Sequence, residues 1–289
     1  VDNIKIVGSV AVTVLGQDDA DVLTGSTGND IIEGGAGNDA IDGGTGNDTL
    51  TGDAGDDTID GGIGTDIAVF AGKLEQYTFA SSADGLTVTI TDTKTGDADT
   101  VKGVETLRFA DADIGMSRDS TDDHMILTGT SAADTITVVG DVGIEIPGTD
   151  GADILSGGAG KDTIEGGAGE DTISGGAGND TIDGGADNDT LSGDAGSDTI
   201  DGGAGTGDVA VFAGNQADYT FASSADGKTI TITHVSTSDV DTVTNVETLS
   251  FDDGDIGVSL DTNGLVLTGS GEVDNIKIVG SVAVTVLGQ

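Results

Sequence analysis

The sequence of 289 residues contains no cysteine, no tryptophan and a single proline, and aromatic residues make up only 3% of it. Without cysteine, no disulfide framework can hold a secreted chain of this composition together, and bound metal is the remaining kind of cross-link. No run of about 18 apolar residues is present, so no insertion into a membrane is predicted. The stabilising interactions of this chain must therefore come from something other than disulfides or a large aromatic core.

Positive charge is also scarce, because 9 Lys and Arg residues stand against 53 Asp and Glu residues and the formal net charge is −44. Such a chain repels the phosphates of nucleic acids and the surface of anionic membranes, so neither is an expected partner. High net charge with 51 glycines is ordinarily typical of disorder. The strict period described next indicates instead an order that depends on a ligand.

The abundant feature is a nine-residue unit in which a turn of the form G-G-x-G-x-D precedes a short strand. The segments 34–42 and 175–183 read GGAGNDAID and GGAGNDTID. One such unit cannot bury an apolar face alone, so the units are expected to stack. The turns end in aspartates at two sets of positions: Asp21, Asp30, Asp39, Asp48, Asp57 and Asp66, and Asp153, Asp162, Asp171, Asp180, Asp189 and Asp198.

This nonapeptide resembles the calcium-binding repeat of the RTX (repeats-in-toxin) family over residues 16–66 and 148–207. The resemblance implies an all-β fold with two parallel β-roll solenoid blocks. In that family, the aspartate and main-chain carbonyls of two stacked turns share each ion. The resemblance therefore implies that the twelve turn aspartates are ligands of several Ca²⁺ ions, and it implies nothing for acidic residues outside the motif.

The residues themselves support the same chemistry. Side chains alternate faces along a strand, so the eighth position of each unit is predicted to point inward, and it is Leu or Ile in eleven units. Units 18 residues apart are expected to lie above one another at about 4.8 Å, which stacks their aspartates. Oxygen ligands without His or Cys suit Ca²⁺ better than Zn²⁺ or copper.

A different pattern follows each block. Alternation of period two, as in Leu86–Thr91, and tight-turn signals such as Asp84-Gly85 predict a small antiparallel β-cap that covers the open end of the solenoid. All eight aromatic residues fall in these segments, in four matching pairs. The predicted organisation is a preceding linker strand (1–15), β-roll 1 (16–66), β-cap 1 (67–132), a linker strand (133–147), β-roll 2 (148–207), β-cap 2 (208–272) and the start of a next copy (273–289).

Several units depart from the motif. The aspartates that replace turn glycines are expected to form strained left-handed turns, as is Ser26. An inserted residue puts Gly207 where an aspartate belongs and displaces Asp208, so normal binding there is doubtful on sequence grounds. Degenerate units around Asp134 and Asp274 indicate that the solenoid persists weakly beyond the blocks. The substituting aspartates are Asp53, Asp187 and Asp194.

The chain also repeats on a longer scale. Residues 1–17 and 273–289 are identical at all 17 positions, so the near-perfect period is 272 residues, or two modules. A long tandem array built from a two-module unit would produce this identity. The alternative is an artificial duplication of the 17 residues.

No enzymatic function is predicted. The sequence has no His-Glu-x-x-His and no Gly-x-Ser-x-Gly, and His124 and His234 are isolated and interpreted as surface residues. The leading hypothesis is a secreted, extracellular or cell-surface structural segment whose partners are further copies of the same repeat. The alternative is a C-terminal export and folding domain of a secreted hydrolase or toxin. A third hypothesis, ice binding, rests on a short Thr/Asn column at Thr27, Asn29, Thr45 and Asn47.

If stacked turns share ions, a central aspartate matters more than a terminal one. Asp39→Ala should raise the calcium midpoint of folding more than Asp21→Ala, because Asp39 has predicted stacked neighbours on both sides. Circular dichroism during a calcium titration measures both midpoints. Equal effects of the two substitutions would contradict shared ions.

Overall fold

A computed structural model describes residues 2–119, 124–224, 227–261, 264–270, 276–280 and 284–288. Within them, regular structure consists of β-strands and two short 3₁₀ helices, which confirms the all-β prediction. None of the helices in this described part is long and apolar enough to cross a membrane. The chain divides into two compact units, residues 1–130 with 134–145 and residues 131–133 with 146–289.

In the first unit, the nonapeptide strands alternate between two parallel sheets. Pairing joins residues 18 apart, as in Leu23 with Ile41 and Ile32 with Leu50, which confirms the predicted stacking of alternate units. The first sheet starts with β1 (Asn3–Lys5), β3 (Val22–Thr24), β5 (Ala40–Asp42) and β7 (Thr58–Asp60), and the second with β2 (Thr13–Asp18), β4 (Ile31–Ala36), β6 (Thr49–Ala54) and β8 (Ile67–Val69).

Both sheets continue from the solenoid into the segment predicted as a cap. Its strands are β9 (Tyr77–Ser81), β10 (Val88–Asp92), β11 (Ala98–Lys102), β12 (Thr106–Arg108), β13 (Asp113–Arg118) and β14 (Met125–Thr128), with a 3₁₀ helix at Leu74–Gln76. Strand β11 pairs in parallel with β7, and β12 pairs in parallel with β8. The other cap strands are antiparallel, in the orders β11-β10-β9 and β12-β13-β14. The cap is thus antiparallel as predicted except where β11 and β12 take the place of two further solenoid strands.

Strand β15 (Thr135–Thr137) completes the first unit, and β16 (Ile144–Asp150) begins in it and ends in the second. The second unit repeats the arrangement of the first, with β22 parallel to β26 and β23 parallel to β27 at the junction between repeats and cap. Its sheet orders are β16-β18-β20-β22-β26-β25-β24 and β17-β19-β21-β23-β27-β28-β29-β30.

The remaining strands of the second unit have the following bounds: β17 (Ile154–Ser156), β18 (Thr163–Ala168), β19 (Thr172–Ser174), β20 (Thr181–Ala186), β21 (Thr190–Ser192), β22 (Thr199–Asp201), β23 (Val209–Val211), β24 (Tyr219–Ser223), β25 (Thr229–His234), β26 (Val240–Thr244), β27 (Thr248–Phe251), β28 (Gly254–Asp261), β29 (Gly264–Gly269) and β30 (Thr285–Leu287), with a 3₁₀ helix at Gln216–Asp218.

The core has two parts in each unit. Between the sheets of the solenoid lie Leu and Ile side chains from the eighth repeat position, one from each nine-residue unit and all at most 2% exposed, as predicted. In each cap the aromatic residues form a cluster: the ring of Phe109 lies 5.2 Å from that of Phe70 and 5.0 Å from that of Tyr77. Because this aliphatic core is thin, the turns at the edges of the solenoid are the other place where contacts between coils can stabilise the stack. The inward positions are Leu23, Ile32, Ile41, Leu50, Ile59, Leu155, Ile164, Ile173, Ile182, Leu191 and Ile200.

Candidate metal centres

The twelve turn aspartates predicted as metal ligands are all buried, with at most 2% of each residue exposed. Carboxylates are among the groups least often buried, because transfer of an unpaired charge out of water is unfavourable. Burial of the carboxylate is therefore a property of the repeat, and each buried oxygen requires a hydrogen-bond donor or a cation.

In both units, one oxygen of the turn carboxylate accepts a hydrogen bond from the backbone of the preceding coil. The Oδ1 atom of Asp39 accepts a hydrogen bond from the backbone N–H of Asp21 at 2.7 Å, and Asp48 accepts one from Asp30 at 2.7 Å. We call each series linked in this way a carboxylate row. The rows contain Asp21, Asp39 and Asp57; Asp30, Asp48 and Asp66; Asp153, Asp171, Asp189 and Asp208; and Asp162, Asp180 and Asp198.

The second oxygen has a different environment. In the described part of the chain, nine row aspartates have an Oδ2 atom that is buried and accepts no hydrogen bond from the protein. A buried acceptor without a partner costs about 1–3 kcal/mol, and more when it is charged. Nine such atoms in equivalent positions indicate a common ligand rather than nine separate defects. These aspartates are Asp39, Asp48, Asp57, Asp66, Asp171, Asp180, Asp189, Asp198 and Asp208.

A second type of oxygen converges on the same place. A Cβ atom added to Gly43 would lie 2.5 Å from Oδ2 of Asp48 and 2.6 Å from the carbonyl oxygen of Gly61 in the next coil. The first glycine of the turn thus has no side chain because the space beside it holds a carboxylate oxygen and the carbonyl oxygen of the stacked turn.

The first glycine of the turn has a different role from the second and the fourth. The second and fourth positions need glycine for their backbone conformation, as Gly35 (φ +105°) and Gly37 (φ +134°) show. Gly34, at the first position, lies outside the left-handed region. It is required for space, since a Cβ there would meet Oδ2 of Asp39 and the carbonyl oxygen of Gly52 at less than 3.0 Å.

The donor set fits a hard divalent cation. Each turn offers carboxylate and carbonyl oxygens only, which is the ligand chemistry of Ca²⁺. Two carboxylates about 4.8 Å apart repel by about 3.5 kcal/mol at an effective dielectric constant of about 20. A bound divalent cation would supply positive charge that reverses the sign of this interaction. The turn carbonyl and Oδ2 oxygens are the atoms that would hold it.

The pKa values of the row carboxyls show the cost of burial. Desolvation raises the pKa of Asp57 and Asp66 to about 6 and that of Asp198 to about 7. The hydrogen bond from the backbone of the preceding coil opposes this shift, and neighbouring carboxylates add to it. The effect of burial on the pKa is therefore larger than that of the hydrogen bond. Without a cation, these carboxyls bind a proton more readily than an exposed aspartate does.

The substituted turns behave as predicted at three positions and differently at a fourth. Asp53 (φ +70°), Asp187 (φ +79°) and Asp194 (φ +63°) occupy the left-handed region. The prediction of left-handed strain is wrong for Ser26, which lies outside that region. Its backbone N–H instead donates to Oδ2 of Asp30 at 2.5 Å, so the serine turn satisfies the oxygen that is unpartnered elsewhere.

The doubt about Asp208 is not supported by its geometry. The inserted residue is absorbed before the aspartate, and Oδ1 of Asp208 accepts the N–H of Asp189 at 2.9 Å, 19 rather than 18 residues earlier. Asp208 is 0% exposed and has a buried, unpartnered Oδ2 like the regular members of the rows. It therefore joins the candidate ligands.

The repeat pattern also extends beyond the two blocks. Asp134 is 4% exposed and its Oδ2 accepts the N–H of Thr130 at 2.5 Å, while Ile136 is fully buried, so the degenerate unit between the blocks forms. In the first unit, the N–H of Val12 donates to Asp30, which starts that row before the first predicted turn. The predicted unit at Asp274 lies outside the described residues.

Four acidic residues of the caps were not predicted and lie at the ends of the rows. Oδ1 of Asp99 accepts the N–H of Asp57 at 2.9 Å, and Oε2 of Glu105 accepts that of Asp66 at 2.8 Å. In the second unit, Asp241 and Glu247 accept the N–H groups of Asp198 and Asp208 at 3.0 and 3.1 Å.

A sequence signal for these four residues exists. Residues 99–107 read DTVKGVETL and residues 241–249 read DTVTNVETL. Each segment contains two acidic residues, and each of these stands two positions before an aliphatic residue, as in the nonapeptide. The spacing between the two acidic residues is six instead of nine, which hides the pattern from a search with a fixed period.

The prediction that both histidines are isolated surface residues is wrong. The ligand atoms of Asp119, His124 and Glu145 lie within 4.8 Å of one another, and His124 Nε2 is 3.1 Å from Glu145 Oε2. His234 is partly buried and its ring lies 4.9 Å from that of Tyr219. The cluster around His124 offers a nitrogen donor, which distinguishes it from the oxygen-only turns.

Comparison with known proteins agrees with the repeat geometry. The RTX calcium-binding nonapeptide repeat family matches four times, at residues 15–50, 38–68, 147–182 and 174–209. No curated protein matches the chain. Among solved structures, the extracellular lipase LipA from Serratia marcescens is similar, with 23% identity and a TM-score of 0.32 over 78% of this chain and 38% of the lipase chain. The chain thus spans less than half the length of that lipase chain.

The raised pKa values predict how pH acts on the metal-free chain. In the fold, the pKa is about 6 for Asp57, Asp66 and Asp189 and about 7 for Asp198, against an ordinary value of 3.8. At these four carboxyls the folded state therefore binds protons more tightly than the unfolded state. This stabilisation is fully present below about pH 4 and is lost as the pH rises through about 6 to 7. In EGTA, circular dichroism should show more β-structure at pH 5 than at pH 7.5.

The affinity of the folded chain for Ca²⁺ should fall as the pH falls, because protons and cations compete for the same oxygens. Asp57→Asn should reduce the pH dependence in EGTA, whereas Asp113→Asn, at an exposed position in the cap of the same compact unit, should preserve it. Identical spectra at both pH values in EGTA would contradict the assignment.

Proposed function

Because residues 15–68 and 147–209 are RTX calcium-binding nonapeptide repeats, we propose that the chain is a calcium-stabilised structural segment of a large secreted surface or extracellular-matrix protein. In this role it extends an adhesin, a filament or a surface layer, and its partners are further copies of the same unit. The observation that carries the proposal is the identity of residues 1–17 with residues 273–289, which is the expected mark of a tandem array of two-module units.

The chemistry of the described residues is consistent with this role. The buried oxygens belong to rows of equivalent turns rather than to one site with a distinct set of acid, base and nucleophile. Stacked coils in which each contacts only its neighbours form elongated structures whose length grows with the number of repeats. A polyanionic surface, with a net charge of −44, also keeps such segments soluble and apart.

Calcium would determine where the chain folds. Extracellular calcium modules bind at about 10⁻⁴ to 10⁻³ M, so the repeats are expected to stay unfolded where free calcium is low and to fold after export. A cation that binds the folded state alone contributes its binding free energy to folding. The buried, unpartnered Oδ2 atoms are the reason that the metal-free fold is disfavoured.

The second candidate function is a C-terminal export and folding domain of a secreted hydrolase or toxin, which the RTX repeats themselves equally support. The two functions differ in the rest of the parent sequence. One catalytic or pore-forming domain upstream would favour the second candidate, and many further copies of the two-module unit would favour the structural segment.

The role of calcium is tested by titration. In EGTA at pH 7.5 the far-ultraviolet circular dichroism should be mostly that of coil, and millimolar Ca²⁺ should restore the β signal cooperatively within each block. Magnesium at the same concentration serves as the control, because Mg²⁺ gives up its water ligands reluctantly. A chain that keeps its sheet signal after exhaustive chelation would contradict the proposal.

The structural role is tested by the shape of longer arrays. Chains of four and eight modules, imaged by electron microscopy in Ca²⁺, should form stiff rods with a two-module spacing and a length proportional to the number of modules. The same chains in EGTA are the control and should appear collapsed or extended without a spacing. Compact particles joined by flexible linkers in Ca²⁺ would argue against an extender.

A further inference from the structure

We propose that the caps hold the last ligands of the carboxylate rows, so that the final cation site of each row lies between a repeat turn and the cap behind it. The residues concerned are Asp99 and Glu105 in the first unit and Asp241 and Glu247 in the second. The inference rests on the proposed calcium role of the rows. It adds a site that the nonapeptide motif does not contain.

The row of Asp21, Asp39 and Asp57 continues into Asp99. The pairing of Thr100 with Thr58 sets Asp99 against Asp57, just as the pairing of Thr58 with Ala40 sets Asp57 against Asp39. Asp99 is 8% exposed, and its Oδ1 accepts the N–H of Asp57 as each row aspartate does from the preceding coil. Asp57 in turn has a buried Oδ2 without a partner in the described structure. Asp99 thus occupies the position of the next repeat aspartate.

The row of Asp30, Asp48 and Asp66 ends in a shortened turn of the cap. A Cβ on Gly61 would lie 2.8 Å from Oδ2 of Asp66 and less than 3.0 Å from the carbonyl oxygen of Gly103. This is the same convergence of carboxylate and carbonyl oxygens that Gly43 shows within the repeats. The cap therefore supplies the carbonyl oxygen that a further nonapeptide turn would have supplied.

Glutamate replaces aspartate in this turn for a geometric reason. Asp99 and Glu105 are six residues apart, so the turn between them is three residues shorter than in the repeat. The backbone of the shortened turn has less reach, and the additional methylene of glutamate brings Oε2 to 2.8 Å from the N–H of Asp66. Glu105 is exposed, so this end of its row is more solvated than the end at Asp99.

The second unit contains the same device. Asp241 is 7% exposed and Asp208 is fully buried with an unpartnered Oδ2. Asn245 stands where the first cap has Gly103 and also has a positive φ, +49° against +59°. A Cβ on Gly202 would meet the carbonyl oxygen of Asn245, as one on Gly61 meets that of Gly103. Two caps with different residues at this turn thus keep the same oxygen positions.

A simpler role for Asp99 is that of a hydrogen-bond acceptor that ends the row without contacting a cation. The two roles differ in the effect of charge. Asparagine retains an oxygen that accepts the N–H of Asp57 and removes the charge. Asp99 is 8% exposed, so an ionised carboxylate at this position is unfavourable when no cation balances its charge. Asp99→Asn therefore acts in opposite directions on the two states if Asp99 is a ligand, and in one direction if it is an acceptor alone.

The cap offers a local probe for this test. The chain has two tyrosines and no tryptophan, and Tyr77 packs in the first cap against Phe109 at 5.0 Å between ring centres. In a Tyr219→Phe background, tyrosine fluorescence of the whole chain reports on the first cap alone. Asp113→Asn in the same background is the matched control, because Asp113 is an exposed carboxylate of the same cap that pairs with Arg108.

Calcium is titrated against Tyr77 fluorescence, and trimethylamine N-oxide is titrated in EGTA to drive metal-free folding. For Asp99→Asn we expect the calcium midpoint to rise about tenfold, which corresponds to about 1.4 kcal/mol. The osmolyte midpoint in EGTA should fall, since a buried charge has been removed. Asp113→Asn should change neither midpoint. The same pair of shifts is expected for Asp241→Asn, read from Tyr219 in a Tyr77→Phe background.

A calcium midpoint of Asp99→Asn that is unchanged or lower than that of the Tyr219→Phe parent would overturn the inference and leave Asp99 as a hydrogen-bond acceptor. A parent chain whose sheet content and tyrosine signal ignore calcium would instead refute the proposed function. The two failures are therefore distinguishable within one experiment.

Discussion

The structure depends on the burial of like charges at close distance. Each nine-residue unit is half a coil and contributes one inward Leu or Ile. This thin apolar core cannot by itself offset the repulsion between carboxylates that are stacked in successive coils. One oxygen of a row carboxylate accepts a hydrogen bond from the preceding coil. Among the described residues, the other oxygen is buried and has no protein partner at nine positions. The same carboxylates thus hold adjacent coils together through hydrogen bonds and repel one another through their charge. A divalent cation bound between them would make the net interaction attractive.

This constraint explains why the turns tolerate so little variation. The second and fourth glycines are required for their backbone conformation. The first glycine is required for space, because any side chain there would enter the space that the carboxylate and carbonyl oxygens occupy. The departures that do occur respect this rule. Asp53 and Asp194 replace the second glycine and remain in the left-handed region, and Ser26 supplies a donor to the carboxylate of its own turn.

The caps provide hydrogen-bond partners for the last coil of the solenoid, which no further identical coil follows. The last coil has exposed strand edges and carboxylates with no following turn. Strands β11 and β12 satisfy the edges by parallel pairing, and Asp99 and Glu105 satisfy the last N–H groups of the rows. The aromatic cluster around Phe109 then gives the cap a core that the solenoid lacks. Cap and repeat are therefore continuous in both hydrogen bonding and charge.

The sequence by itself determined the coil, because a strict nine-residue period leaves one way to place turn, strand and inward aliphatic residue, and the twelve aspartates follow from that period. It did not determine where the pattern stops. Asp99, Glu105, Asp241 and Glu247 join the rows through pairings with residues about 40 positions earlier in the chain, at a spacing that no longer matches the repeat. The place of Asp208 and the contact of His124 with Glu145 were likewise decided only by the tertiary structure. Local periodicity specifies what each unit does, whereas the ends of a stack are defined by strands that pair across it.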